Sequence, residues 1–384
     1  MRNLGLLTAI LALSAMGMFG QNRHKVDINT ETPEGKALQT IGTEQDQAKK
    51  IALMEQFAAE HASHGGYAWV LGQLHALYLK SNQHDKVFPV AEKLLSFDPS
   101  DAEMAYGGLQ SAVAKNDPDL IVKWAGITNE AAKKGAKTPK PEDEDEQSAW
   151  DYKVKFSTQV QERCEYEVMA LALRTADAAK KIAIMDSLKQ LNPQSKYLPQ
   201  LDNQYFVAYR QLGQNDKALA LAEQLASENK ANADMLLLLT DHAVNTKNNA
   251  KVIAYSDQLV AYMKSAPAPQ GVDPAAWEAK KATNIGTGLF LKGVTLASEN
   301  KLAEADAALR EALPHLQGND QVLGPALFQL GLANYKMGSA KKPADMARIR
   351  DAYKFSQQAA AIKGQHQGTA SKNVAAMRQQ YGLK

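Results

Sequence analysis

The chain is poor in cysteine: Cys164 is the only one in 384 residues, so no intramolecular disulfide is available. A protein built this way is held by packing alone, whatever compartment it occupies. Aromatic residues make up only 7% of the sequence, and β-branched runs are scarce while alanine is plentiful, which disfavours sheets and suits packed helices. There is no excess of charge of one sign. Lys and Arg number 44 against 42 Asp and Glu, a formal charge of +2, and nothing in that balance advertises nucleic acid or an anionic membrane surface. Long apolar runs are confined to Leu4–Phe19, and that run falls short of the roughly 20 residues a spanning helix needs.

That single apolar run follows Met1-Arg2-Asn3 and is followed by small residues at Ala15, Gly17 and Gly20. A short basic start, a short apolar stretch and small residues together define a cleavable export signal over 1–20, and the absence of a cysteine after it excludes a lipid anchor. The mature chain is expected to be exported, periplasmic or secreted, with no transmembrane span. Residues 21–42 are polar, carry Pro33 and Gly35 and show no period, which reads as a flexible lead-in. Helical patterning is expected over 43–384. It begins with Thr43 and Asp46 spaced as a capping box, ahead of a stripe of Ile51, Met54, Phe57 and His61.

The clearest organisation lies between Gly286 and Gly364, in two helical hairpins of the same design. Leu289, Gly293 and Leu296 step along one helix, with Leu302, Ala305, Leu309 and Ala312 on its partner; Leu327, Leu330, Gly331 and Asn334 repeat the layout, followed by Met346, Ile349, Ala352, Phe355, Ala359 and Ile362. Glycine inside a helix costs about 1 kcal/mol against alanine, so Gly293 and Gly331 imply a close helix approach. Equivalent second-helix positions are read at Val87, Ile121, Ile182, Ala218, Val252, Ala305 and Ala352, and a spacing of 34 residues separates Val87 from Ile121 and Ala218 from Val252. Ser100 with Glu103 and Asp117 with Pro118 supply helix starts. Three insertions interrupt the period: the acidic Gly135–Gln147, the proline-containing Ser265–Asp273, and the basic Ser339–Ala344. The first two fall between hairpins and the third within one, and the run Glu142–Glu146 reads as solvated loop.

The segment LFQLGLANYKMG resembles the first helix of a tetratricopeptide repeat, with Leu327 in the Trp place, Leu330 and Gly331 matching Leu-Gly, Tyr335 one residue beyond the Tyr place, and Ala352 matching on the second helix. The resemblance implies an all-α solenoid of stacked antiparallel hairpins, about seven repeats, closed by a capping helix carrying Val374, Met377 and Tyr381. It also implies a concave groove lined by first helices. The positions one, five and eight residues past the Trp-like residue select Asn203, Val207 and Arg210, then Leu237, Asp241 and Val244, then Phe290, Val294 and Ala297, then Phe328, Leu332 and Tyr335. Asn203, Arg210, Asp241, Phe290, Phe328, Leu332 and Tyr335 are the candidate binding residues. In the family, Lys and Asn on first helices clamp the carboxylates of chaperone tails; here Gly72, Ala76, Tyr106 and Gln110 stand on those faces.

Motifs of chemistry are thin. His61 and His64, with His75 and His84 nearby, lack the third and fourth ligands and the His-Glu-x-x-His spacing of a zinc site. Gly286, Gly288 and Gly293 are followed by no Gly-Lys-Ser/Thr, no Gly-x-Ser-x-Gly elbow occurs, and Cys164 is in phase with the apolar Val160 and Val168. The sequence therefore points to a non-enzymatic scaffold without metal or cofactor, binding a protein or peptide partner in the groove. The competing reading is an envelope enzyme or small-ligand-binding protein with a site under the inserted loops. Export with cleavage is checked by sequencing the mature N-terminus: a start close to Gln21 is expected, and a chain beginning at Met1 or Arg2 in the envelope fraction would refute it.

Overall fold

In a computed structural model, residues 28–384 are described; residues 1–20, where an export signal is expected, and residues 21–27 of the expected lead-in lie outside them. The described residues are all-α, with no strand among them. They divide into two compact units, up to Leu212 and from Gly213 onward. In the first unit the helices are α1 (Pro33–Thr43), α2 (Gln47–Glu60), α3 (Tyr67–Lys80), α4 (His84–Phe97), α5 (Ala102–Ala114), α6 (Pro118–Gly135), α7 (Glu144–Arg174), α8 (Ala178–Leu191) and α9 (Asp202–Gln211). The second unit holds α10 (Asn215–Ser227), α11 (Ala233–Asn245), α12 (Asn249–Ser265), α13 (Pro274–Ser298), α14 (Leu302–Ala312), α15 (Asp320–Ser339), α16 (Met346–Ala361) and α17 (Gln367–Tyr381). Within each unit, a helix packs chiefly on the one before and the one after it, so each unit is a stack of helical hairpins in solenoid fashion.

Four of the hairpins are made by one turn. Asn82, Asn116, Lys247 and Asn300 have φ of 57°, 51°, 55° and 60°, and each sits between a first helix and the N-cap of the second. The residue after each bonds back to the ending helix: Gln83 N–H to Tyr78 O at 2.8 Å, Asn248 to Ala243 at 2.8 Å, Lys301 to Leu296 at 2.9 Å. This is a Schellman ending, in which a left-handed residue lets the last carbonyls find donors. Asparagine tolerates that conformation better than most side chains. The next residue then caps the second helix, so one helix stops and the other starts within about three residues.

Counting from that cap fixes the buried face. The fourth, eighth and eleventh residues beyond it are Val87, Ala91 and Leu94 in α4, Ala218, Ala222 and Leu225 in α10, and Val252, Ser256 and Leu259 in α12, all buried. Ala305, Leu309 and Ala312 follow the same count in α14. The count corrects two anchors. In α8, capped by Asp177, the fourth residue is Lys181; Ile182 is only half-buried, and Ile184, Met185 and Leu188 carry the core. In α16, capped by Asp345, Ile349 holds the place assigned to Ala352, which is buried one turn later.

Other expectations are corrected at helix ends. Residues 33–42 are not a flexible lead-in: Thr32 caps α1 by accepting from Gly35 N–H, and Leu38 and Ile41 are buried against α2 and α3, which adds a hairpin ahead of those read from the sequence. Thr43 closes α1 instead of opening a capping box, and Asp46 alone caps α2 by accepting from Lys49. Asp101, not Ser100, caps α5. The acidic run is half helical, because Asp143 caps α7 and Glu144, Asp145 and Glu146 form its first turn, where the helix dipole favours negative charge. Asp117 with Pro118 opens α6 as expected.

Mid-helix glycines sit where helices touch. A methyl on Gly293 would lie 2.6 Å from Leu309 Cγ, and one on Gly331 would lie 2.7 Å from Ser356 Oγ. Gly72 differs: nothing stands within 4 Å of its missing Cβ. Gly293→Ala should therefore destabilise the protein by about 1–3 kcal/mol through overpacking, whereas Gly72→Ala should stabilise it by roughly 0.5–1 kcal/mol through helix propensity. Paired thermal melts of the two variants check the assignment, and equal shifts would refute it.

Candidate binding face

The first helices present the positions expected to face a groove. In the first unit Asn203, Val207 and Arg210 are exposed along one side of α9, with Val207 41% exposed. The same register on α7 selects Tyr166, half-buried, and Leu173, 47% exposed; on α5 it selects Tyr106 and Gln110, and on α3 Gly72 and Ala76. In the second unit Asp241 is exposed on α11, where it accepts from Asn245 Nδ2 at 3.2 Å, and Val244 is 43% exposed; Leu237, Phe290, Val294 and Leu332 are half-buried. Asp241, Phe290 and Leu332 thus stand at positions selected by the groove rule on successive first helices of one unit. Asn203 and Arg210 belong to the other.

Two candidates are engaged by the chain itself. Phe328 is 9% exposed and stacks on His366 with ring centroids 4.4 Å apart. Tyr335 packs with Tyr353, Met377, Val374 and Tyr381, and its hydroxyl donates to Gln380 Oε1 at 3.2 Å. α17 covers this end of the face, as a capping helix must, and the aromatic pair contributes to that closure. The sequence could have shown this: Val374, Met377 and Tyr381 form an apolar stripe that needs a partner, and Tyr335 is the nearest unassigned aromatic.

Behind the first helices of the second unit lies a polar cluster that sequence reading missed. Asp306 on α14 accepts from Arg310 Nε at 2.8 Å, from Arg348 at 2.8 Å and from the buried Asn334 Nδ2 at 2.7 Å, and Arg310 also donates to Asp351 at 2.6 Å. Burial pushes the Asp306 carboxyl up, but the hydrogen bonds from Asn334, Arg348 and Arg310 outweigh it and hold it below the ordinary aspartate value. The cluster ties α14, α15 and α16 together. Only the i, i+4 spacing of Asp306 and Arg310 hinted at it, and that pattern is usually an exposed pair.

Under the first insertion a second cluster converges. Lys153 on the early part of α7 donates to Ser100 Oγ at 2.7 Å and to Asp98 Oδ2 at 3.1 Å, and Ser100 Oγ donates to Asp98 at 2.5 Å. Burial raises the Asp98 carboxyl, while Ser100 and Lys153 more than reverse it. Tyr152 donates to Glu103 beside them. A charged lysine held by a carboxylate cannot serve as the base for a serine, so the geometry is that of a clasp between α7 and the start of α5. The remaining histidines do not converge either: His64 Nδ1 accepts from Gly66 N–H at 2.9 Å, and among the described residues no three His, Cys, Asp or Glu side chains gather as a metal set. Cys164 is buried, which pushes its thiol up and away from reactivity. No described helix is long and apolar enough to cross a membrane.

These hairpins define the class: an all-α solenoid of stacked helical hairpins. No family model and no curated protein matches the chain. Among solved structures it is similar to the crystal structure of the P58(IPK) TPR domain, at 10% identity over 91% of this chain and 98% of that chain, with a TM-score of 0.25. So loose a superposition carries no argument, and the class rests on the turns, caps and buried faces described above.

Asp306→Ala removes the carboxylate shared by Asn334, Arg310 and Arg348; both arginines are partly open to water and Arg310 keeps Asp351, so the cost should be about 1–3 kcal/mol. Because the folded carboxyl titrates below its ordinary value, its contribution is complete above that ordinary value and is lost as pH falls through the folded one. Urea unfolding of wild type and variant at neutral pH and in acid checks both points; a variant with unchanged midpoint would remove the cluster from the account.

Proposed function

We propose that the protein is an exported, non-enzymatic scaffold of the cell envelope whose first-helix faces hold a peptide or a partner helix. The observation that carries the reading is that large apolar side chains are left in water at groove positions: Leu173 and Val207 in the first unit, Val244 in the second, each more than 40% exposed. In the first unit the cation Arg210, and in the second the anion Asp241, are exposed on the same helices as Val207 and Val244. Each face suits a segment with an apolar anchor and a polar contact, a helix or extended peptide laid across successive helices of its own unit. Export follows from the N-terminal pattern, and a groove of this kind in the periplasm or outside the cell would assemble envelope components.

Crosslinking in intact cells should capture a neighbour through these faces. Arg210→Ala and Asp241→Ala are expected to melt within a few degrees of wild type while weakening capture by about tenfold, the loss of one moderate hot spot. Normal capture by both variants would move the functional surface to the inserted loops.

A further inference from the structure

Among the described residues His75 is the one buried histidine. It sits on α3, 2% exposed, eight residues before the cap of the second helix, the place Gly293 holds before Lys301. The close approach is preserved by moving the glycine to the neighbouring first helix: a methyl on Gly107 of α5 would lie 2.2 Å from His75 Cε1 and 2.4 Å from Nε2. The imidazole is thus pressed edge-on into α5. One ring nitrogen hydrogen-bonds the backbone of Met104, and Nε2 is buried with no hydrogen-bond partner. A bare acceptor nitrogen in that slot is tolerable; an added proton there would be a buried donor with nothing to receive it. Burial pushes the ring's titration down to about 4, against a smaller opposing pull from Asp101.

The charges around it do not rescue the protonated form. From α5 the facing group is Asp101, whose carboxylate already accepts from Glu103 N–H and Met104 N–H. From α2, Glu55 is committed to Tyr78 and Lys86. From α4, His84 is engaged with Ser111 Oγ at 3.2 Å and Asp85 with Lys115. A leucine would fill the same space without any of this cost, and a buried polar group that breaks the local rule marks a functional position more often than a structural one.

We propose that His75 makes the contact between α3 and α5 acid-labile, so that the first-helix face built on them loosens and releases its occupant when the surroundings turn acidic. The release half rests on the binding role given above; the loosening does not. An exported protein meets the pH of its surroundings directly, and α3 with α5 carries Gly72, Ala76, Tyr106 and Gln110 of that face. Because the ring is neutral when folded and titrates at its ordinary value when released, the contact is at full strength above about 6.5, and its opening constant should grow by about tenfold per pH unit below that, down to about 4.

Amide exchange of the full chain tests this. Protection factors over 67–80 and 102–114 should fall as pH drops from 7 to 4.5, by about a hundredfold, while those of α13 and α14 hold; His75→Gln, which keeps a hydrogen bond but cannot charge, should abolish the fall. Equal acid sensitivity in wild type and variant, or no fall in wild type, overturns the proposal. If His75→Gln folds poorly, the Cε1 proton of the wild-type ring is followed by NMR: titration near 6.5 overturns it, and titration well below that supports it. Acid-gated exchange in a protein that captures no partner at neutral pH would leave the device standing and remove the scaffold reading; capture with ungated exchange would do the reverse.

Discussion

The left-handed residue between the two helices of a hairpin is the constraint on which the rest depends. With Asn82, Asn116, Lys247 or Asn300 at positive φ, the first helix ends, its last carbonyls are satisfied and the second helix is capped at the next residue. The buried face then follows by counting. Nothing in such a stack depends on a distant strand pairing or on a core shared by the whole chain; each hairpin needs its own turn and the apolar side of its neighbours. Exposed ion pairs such as Lys123 with Glu92 and Lys251 with Glu223 join successive second helices, but pairs so open to water contribute little beyond alignment.

Much of this was legible. The 3.6-residue period, the spacing near 34 residues, the mid-helix Gly293 and Gly331, and the cap at Asp117 all led to the right elements. What failed were the ends and the phase. Pro33–Thr43 looked unstructured because an eleven-residue helix with Leu38 and Ile41 as its apolar contacts is too short to show a period, and its stability comes from packing on α2 and α3. Ile182 was chosen over Lys181 because hydrophobicity was allowed to set the register, whereas the cap sets it. Turn asparagines stand one residue before the caps of α4, α6 and α14, and would have placed those second helices.

The binding face was legible as a register and illegible as a surface. Periodicity says which side of a helix a residue occupies, and Asn203, Arg210 and Asp241 are exposed. It could not say what else lies on that side, so Phe328 and Tyr335 were assigned to a partner when α17 already covers them. The ionic cluster of Asp306, Asn334, Arg310, Arg348 and Asp351 was hidden because its members come from three helices. Both units also lengthen one first helix at its start, α7 and α13. In each case the added turns reach back to the second residue of the preceding first helix, Tyr152 to Glu103 and Lys280 to Asp234.

Register counted from a cap also governs how such a chain can change through descent. One residue inserted between a cap and the eleventh position turns the remainder of that helix by about 100° and swings its buried side toward solvent. A whole hairpin gained or lost leaves every other count intact, and residues added ahead of a cap merely lengthen a loop or a helix overhang, as in Ser265–Asp273. Lineages carrying this architecture are therefore free to drift in length by entire hairpins and at their junctions, while the stretch from each turn asparagine to the eleventh residue past the cap stays fixed in length.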